Sequence, residues 1–368
     1  MIEAVYLGVY GHGTTLAFPK NIDSFLYRFL VDGKETLYRI DNGPRDENGN
    51  YTFPIQNTLK RNRTYDLTIS ENTIIAAKER MKVVKTGYEP PVKDTHGLRT
   101  VKNFIETALM PVGTVLYIYG GGWNWQDTGS SIQVRSVGIS DDWVCFFDSQ
   151  NSDFSYKGKC GSDGNENSGN CYYPLSGYNE FFYAGLDCSG YVNWAINNTL
   201  ASDETAVDHF SGATKLAYGL SARGLGRWTR EVSARGTLPG DIVSINGHVW
   251  ISLGVCADGS TVILHSTPSD SRTGMPGGGV QIGAIGGSED CEAYRLADKY
   301  MSVYYAKWYE RYPAALKSPD RYFSFTGDYS GLFSWDVSGK NGCLTDPDRC
   351  RGMTPSELLA LVFKEKML

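Results

Sequence analysis

The chain has no apolar run approaching the length of a membrane span. Basic residues are not in excess: 35 Lys and Arg stand against 41 Asp and Glu, a net charge of −6. That balance is the opposite of a nucleic-acid footprint, so no nucleic-acid partner is expected. Cysteine is sparse. Eight in 368 residues are too few for a disulfide scaffold, and none has the C-x-x-C spacing of a zinc knuckle. Cys160 and Cys171 flank a Gly/Asn/Ser-rich loop, and Cys343 and Cys350 flank Leu-Thr-Asp-Pro-Asp-Arg. Each pair either closes a short disulfide or stays reduced. Gly120-Gly121-Gly122 is not followed by Lys-Ser/Thr, which excludes a phosphate loop. Met1-Ile2-Glu3 opens neither a basic nor an apolar leader region.

What is present can fill a core. Hydrophobic residues make up 41% and aromatics 13% of a chain long enough for two or three domains. Residues 1–95 read as a small β-rich domain, with short runs at 4–9, 26–31 and 64–69 separated by Gly, Asn and Asp clusters. The stretch 87–92 reads as a linker. Residues 98–110 have the spacing of an amphipathic helix, with Val101, Phe104, Ile105, Ala108 and Leu109 on one face, ended by Pro111. Residues 123–186 form a long polar insertion, with a strand pair expected at 132–137 and 142–147. A helical segment is expected near 212–220. A long helix is expected over 287–312, in a C-terminal extension spanning 287–368. Thr354-Pro355-Ser356-Glu357 is a capping box that opens a closing helix over 356–364.

The stretch 185–200 organises the rest. Cys188, Tyr191, Val192, Ala195 and Ile196 follow the spacing of one buried helix face. Asp187 sits where an N-cap belongs. Cys188 therefore falls on the first helical turn, where the partial positive charge of the helix start is expected to lower a thiol pKa. Downstream, Leu238-Pro239-Gly240-Asp241 turns into a strand. A second strand opens at His248, and a third over 261–266 carries His265. A nucleophilic thiol needs a base, and the base needs a group that orients it. Cys188, His248 and His265 can fill those three roles. They can equally be a core cysteine with two half-buried strand histidines, or a metal site one ligand short of structural zinc. Register offers a test. A hairpin centred between Cys256 and Ala257 sets the histidines opposite each other, as catalysis requires. One centred on Asp258-Gly259 leaves them about 13 Å apart.

Leu186-Asp187-Cys188-Ser189-Gly190-Tyr191-Val192, Leu238-Pro239-Gly240-Asp241, Gly247-His248-Val249-Trp250-Ile251 and Ile263-Leu264-His265-Ser266 occur in that order. Together they resemble the NlpC/P60 family of papain-like cysteine peptidases that act on bacterial cell-wall peptides. Tyr117-Ile118-Tyr119-Gly120-Gly121 resembles the tyrosine-glycine element that precedes the family's nucleophile. The resemblance spans residues 98–285 of a catalytic domain over 96–368. It implies an α+β fold with the cysteine helix on an antiparallel sheet, preceded by a small all-β domain of SH3-like or sandwich type that binds wall or shapes the cleft. The implied reaction is hydrolysis of peptidoglycan stem peptides at the γ-D-glutamyl–diamino acid bond, without cofactor or metal. Cys188 would be nucleophile, His248 base and His265 its orienter. Tyr117 would help bind the oxyanion, and Asp187 and Ser189 would hold a free N-terminal amine. Partners would be peptidoglycan or muropeptide fragments. The implied location is secreted or wall-associated after loss of a leader, or cytoplasmic in a recycling role. A CHAP-type amidase and a silent wall-binding protein are the alternatives. Two features depart from the family: the insertion 123–186, and Trp250, which stands where a small residue is usual and so lines or crowds the cleft.

Overall fold

A computed structural model of the protein describes the backbone of 24–31, 34–41, 51–57 and 64–69. It describes 95–122, 185–200, 211–232, 236–274, 276–338 and 343–365 in fuller detail, with short pieces at 139, 143–144, 146–147, 160–161 and 178–179. The expected strands at 4–9 and 132–137, the linker 87–92 and the Cys160/Cys171 loop side chains lie outside the described residues. The chain divides into two compact units, residues 1–90 with 140–150, and residues 91–139 with 151–368.

In the first unit, β1 (Ser24–Val31), β2 (Lys34–Asp41), β3 (Tyr51–Asn57) and β4 (Thr64–Ile69) form an antiparallel sheet in sequence order. The expected strands at 26–31 and 64–69 fall on β1 and β4. The expected strand at 142–147 is instead helical at 143–144 and 146–147. Its apolar residues Trp143, Val144, Phe146 and Phe147 lie two pairs apart with a single gap, a spacing compatible with either period.

The second unit is mixed α+β. Helix α1 (Val101–Leu109) starts three residues later than expected, because the Thr100 side chain accepts the Asn103 N–H at 3.0 Å and caps it there. The five apolar residues expected on its buried face are fully buried. Two short strands, β5 (Cys160–Gly161) and β6 (Tyr178–Asn179), pair with each other. Helix α2 (Cys188–Leu200) packs on α1 and on the sheet. It is buried nearly all round rather than on one face. That is possible because its polar residues bond inward. Asn193 Nδ2 donates to the carbonyls of Ser189 and Ser211, and Thr199 Oγ1 to that of Ala195. Helix α3 (Leu216–Ala222) follows a 3-10 turn at Ala213–Lys215, near the expected segment.

The sheet has seven strands in the order β12-β11-β10-β9-β8-β13-β7. Their ranges are β7 Gly226–Thr229, β8 Ile242–Ile245, β9 His248–Val255, β10 Thr261–Asp270, β11 Pro276–Ile285, β12 Ala315–Lys317 and β13 Gly331–Trp335. Only β11 and β12 run parallel among the described pairs. The C-terminal extension is built into this sheet: β12 adds to one edge and β13 sits between β8 and β7. The expected helix over 287–312 divides into α4 (Glu292–Tyr304) and α5 (Ala306–Tyr309), broken at Tyr305. The start of α4 is fixed from the β9–β10 turn. Asp258 Oδ2 accepts the Glu292 N–H and Ser260 Oγ that of Ala293. A cap supplied from so far away leaves no local signature. Helix α6 is Pro319–Tyr322, and α7 (Pro355–Val362) carries the expected capping box. Cys343 and Cys350 are both free thiols. Among the described residues, no helix is long and apolar enough to cross a membrane.

Candidate active site

Glycine builds the start of α2. A Cβ on Gly190 would lie 2.1 Å from the Gly121 carbonyl oxygen, and one on Gly121 would lie 2.4 Å from that of Gly185. Backbone therefore packs on backbone where the tyrosine-glycine element meets the cysteine motif. Leu186 N–H donates to the Leu116 carbonyl at 3.1 Å and Asp187 N–H to that of Gly121 at 2.9 Å. Asp187 is the expected cap, its Oδ1 accepting Gly190 N–H at 2.7 Å and Ser189 Oγ–H at 3.0 Å. Tyr117 is thereby held beside Cys188 and Asp187. Burial, and then those two neighbours, raise its phenol pKa.

The histidines meet through a bulge. Near the turn, Thr261 pairs with Val255 and Val262 with Gly254. Carried straight on, that register would set His265 across from Ile251, on the sheet face opposite His248. A bulge between Val262 and Ile263 shifts the pairing to Ile263↔Ser252 and Leu264↔Ile251. One residue of slip reverses every face. One step further, His265 faces Trp250 and shares its side of the sheet with His248. Neither register expected from the sequence occurs, yet His248 Nε2 and His265 Nδ1 come to 3.4 Å. The rings reach each other diagonally.

The β9–β10 pairing runs as far as Leu264↔Ile251. Beyond it, the Val249 N–H favours the charged form of the Cys188 sulfur. The thiol also points at the Gly247 carbonyl, 3.9 Å away. Its electrostatics reverse the sequence expectation. Burial first, and the Asp187 carboxylate second, push the thiol up to about 12, and the N–H groups of Val249, Ser189 and Cys188 offset this only in part. Burial, then Lys317 and Arg321, hold His248 down to about 3. His265 is fully buried and is lowered by burial and by His248. All three shifts favour a neutral thiol beside neutral imidazoles.

A cleft of about 330 Å³ opens at His248, walled by Tyr117, Gly247, Thr267, Arg321 and Tyr322 among others. Tyr322 is the residue that sequence reasoning missed. Its ring packs 5.3 Å from His248 and 6.0 Å from His265, centroid to centroid. It comes from the C-terminal extension, where no motif marks it. Trp250 neither lines nor crowds this cleft. It is fully buried in an apolar cluster with Ile263 and Tyr322. The structure thus gathers Cys188, His248, His265, Tyr117, Asp187 and Ser189 in one region.

Cys256, Asp258 and Glu292 are the single group of potential metal ligands found among the described residues, with donor atoms within 4.8 Å of one another. Both carboxylates already accept backbone N–H bonds at the start of α4 and the adjoining turn. That is capping chemistry. No protein-family model, curated protein or solved structure matches this chain.

Proposed function

We propose that residues 98–285 form a papain-like domain of NlpC/P60 type. Its reaction is hydrolysis of peptidoglycan stem peptides at the γ-D-glutamyl–diamino acid bond. The observation that carries this reading is the His248–His265 contact beside a thiol at a helix start. With His248 Nε2–H donating to His265 Nδ1, the Nδ1 lone pair of His248 is left to take the thiol proton. Cys188 Sγ then attacks the carbonyl carbon. The C–N bond breaks, and His248 returns the proton to the leaving amine. Water attacks the thioester with His248 as base, releasing the acid and restoring the thiol. The Cys188 N–H and Tyr117 hydroxyl stabilise the oxyanion. The proton leaves sulfur only once a carbonyl is in place, because burial disfavours the separated charges in the resting site.

Asp187 and Ser189 hold the substrate's free amine, a role compatible with the half-exposure of both side chains. The first unit is an SH3-like wall-binding or cleft-shaping module, consistent with its four antiparallel strands. The protein acts on the wall or on released muropeptides. Digestion of L-Ala-γ-D-Glu-diamino acid, free and still carrying muramic acid, tests this by mass spectrometry. Cleavage of the free peptide alone supports the amine pocket, and cleavage of both supports an open groove. Failure to cut either contradicts the reading. A second reading, a silent wall-binding protein, is favoured by one observation: the Cys188 side chain is buried.

A further inference from the structure

One cation lines the cleft and a second acts on its histidines, neither with an anionic partner among the described residues. Arg321, on α6, lines it next to His248 and is exposed. Its guanidinium makes no hydrogen bond or ion pair with any described residue, and Asp320, its neighbour on the same rim, does not pair with it. Lys317, at the end of β12, is half-buried and equally without an ion pair. Its ammonium is disfavoured by burial and by Arg321, and it acts electrostatically on both histidines. Two like charges held within reach of each other, one of them partly desolvated, are an unfavourable arrangement. An anion between them and the cleft would relieve it. The other polar groups on this wall include Asn246, Thr267, Ser324 and Thr326 and the hydroxyls of Tyr117 and Tyr322. They can donate to such an anion, whereas Asp320 would repel it.

We propose that Arg321, backed by Lys317, forms a carboxylate-binding subsite that selects substrates with a free carboxylate near the scissile amide. The inference rests on the peptidase reading for its substrate but not for its test. Arg presents a planar fork matched to a carboxylate, so an amidated substrate loses both parallel hydrogen bonds and the charge. Both cations come from the C-terminal extension, so this specificity is added by a segment outside the part of the chain that carries the peptidase motifs.

In a stem peptide the carboxylate has two sources, the α-carboxylate of the γ-linked glutamate and the peptide's C-terminus. Binding is measured by calorimetry on the full chain carrying Cys188→Ala, which removes turnover. The probes are L-Ala-γ-D-Glu-L-Lys, the same peptide with its glutamate α-carboxylate amidated, and the same peptide with its C-terminus amidated. One of the amidated peptides is expected to bind at least tenfold more weakly, and which one identifies the source. Arg321→Ala is expected to erase that difference and Arg321→Lys to restore part of it. Lys317→Met is expected to weaken binding of the unmodified peptide. Equal binding of all three peptides, no binding of any, or an undiminished preference in Arg321→Ala would overturn the subsite. Hydrolysis by the unsubstituted chain reports separately on the peptidase. Preference without cleavage sinks the peptidase alone, and cleavage without preference sinks the subsite alone.

Discussion

Gly190→Ala sets helix propensity against packing. Alanine is about 1 kcal/mol better than glycine inside a helix, so propensity alone predicts a more stable protein. The added Cβ, however, would lie 2.1 Å from the Gly121 carbonyl oxygen and 3.1 Å from the Gly122 Cα. Both are backbone atoms, and neither can rotate away. The contact must open by roughly 1 Å to reach van der Waals distance. Overpacking of this kind costs about 1–3 kcal/mol, and here the Asp187–Gly121 hydrogen bond is strained with it. With about 1 kcal/mol for the strained hydrogen bond set against the propensity gain, the expected net loss is about 2 kcal/mol, or roughly 4–8 °C in the melting temperature of a unit this size. The shift falls on the first turn of α2, two residues from Cys188. A 1 Å misplacement of a reacting group costs about 10²-fold in rate. Thermal melts and peptide hydrolysis on the same preparation test both effects. Gly287→Ala is the control, because no atom lies within 4 Å of its added Cβ; it is expected to stay within about 0.5 kcal/mol of the parent. An unchanged or higher melting temperature for Gly190→Ala, with full activity, would refute the packing argument.

Other consequences follow from the same geometry. Arg351 Nη2 meets Asp241 Oδ1 at 2.8 Å, with Asp241 buried at the turn into β8. Arg351→Ala is expected to cost about 3 kcal/mol in chemical denaturation by stranding that carboxylate, and adding Asp241→Asn should recover part of the loss. His265→Phe should lower kcat by roughly 10²-fold or more with little change in KM, since it removes the group proposed to orient His248; an equal effect on both parameters would point to general damage. Iodoacetamide alkylation of Cys188 is expected to keep accelerating above pH 9, because the thiol is held up to about 12; a plateau by pH 7 would contradict the neutral resting pair. The fold holds His248 neutral, with its pKa down at about 3. Its stabilisation is complete above the unfolded-chain value of about 6.5 and is lost as pH falls toward the folded value. His248→Gln should therefore flatten the acid side of a stability–pH curve.

Much of the site was legible because it is built from local signals. Asp187 caps α2, the 98–110 pattern gave α1 its buried face, and Thr354 to Glu357 formed the capping box. What was not legible depends on distant partners. Asp258 sets the start of α4 from the β9–β10 turn, and β13 enters the sheet between strands far earlier in the chain. Turn position alone does not set the histidine register. A bulge between Val262 and Ile263 decided it, and no side chain there announces a bulge. The thiol's place on the helix predicts a lowered pKa, but burial and Asp187 outweigh the helix start. Tyr322 and Arg321 reach the cleft by tertiary folding and carry no motif.

The central claim is that Cys188 forms a covalent thioester with the substrate. Acid-quenched turnover of the free stem peptide, followed by mass spectrometry of the Cys188-containing fragment, tests it at the atom concerned. The account predicts an acyl adduct on Cys188 during turnover, and no adduct and no product from a folded Cys188→Ala protein. Product formed by Cys188→Ala at the parent rate, or turnover without any adduct on Cys188, would contradict it.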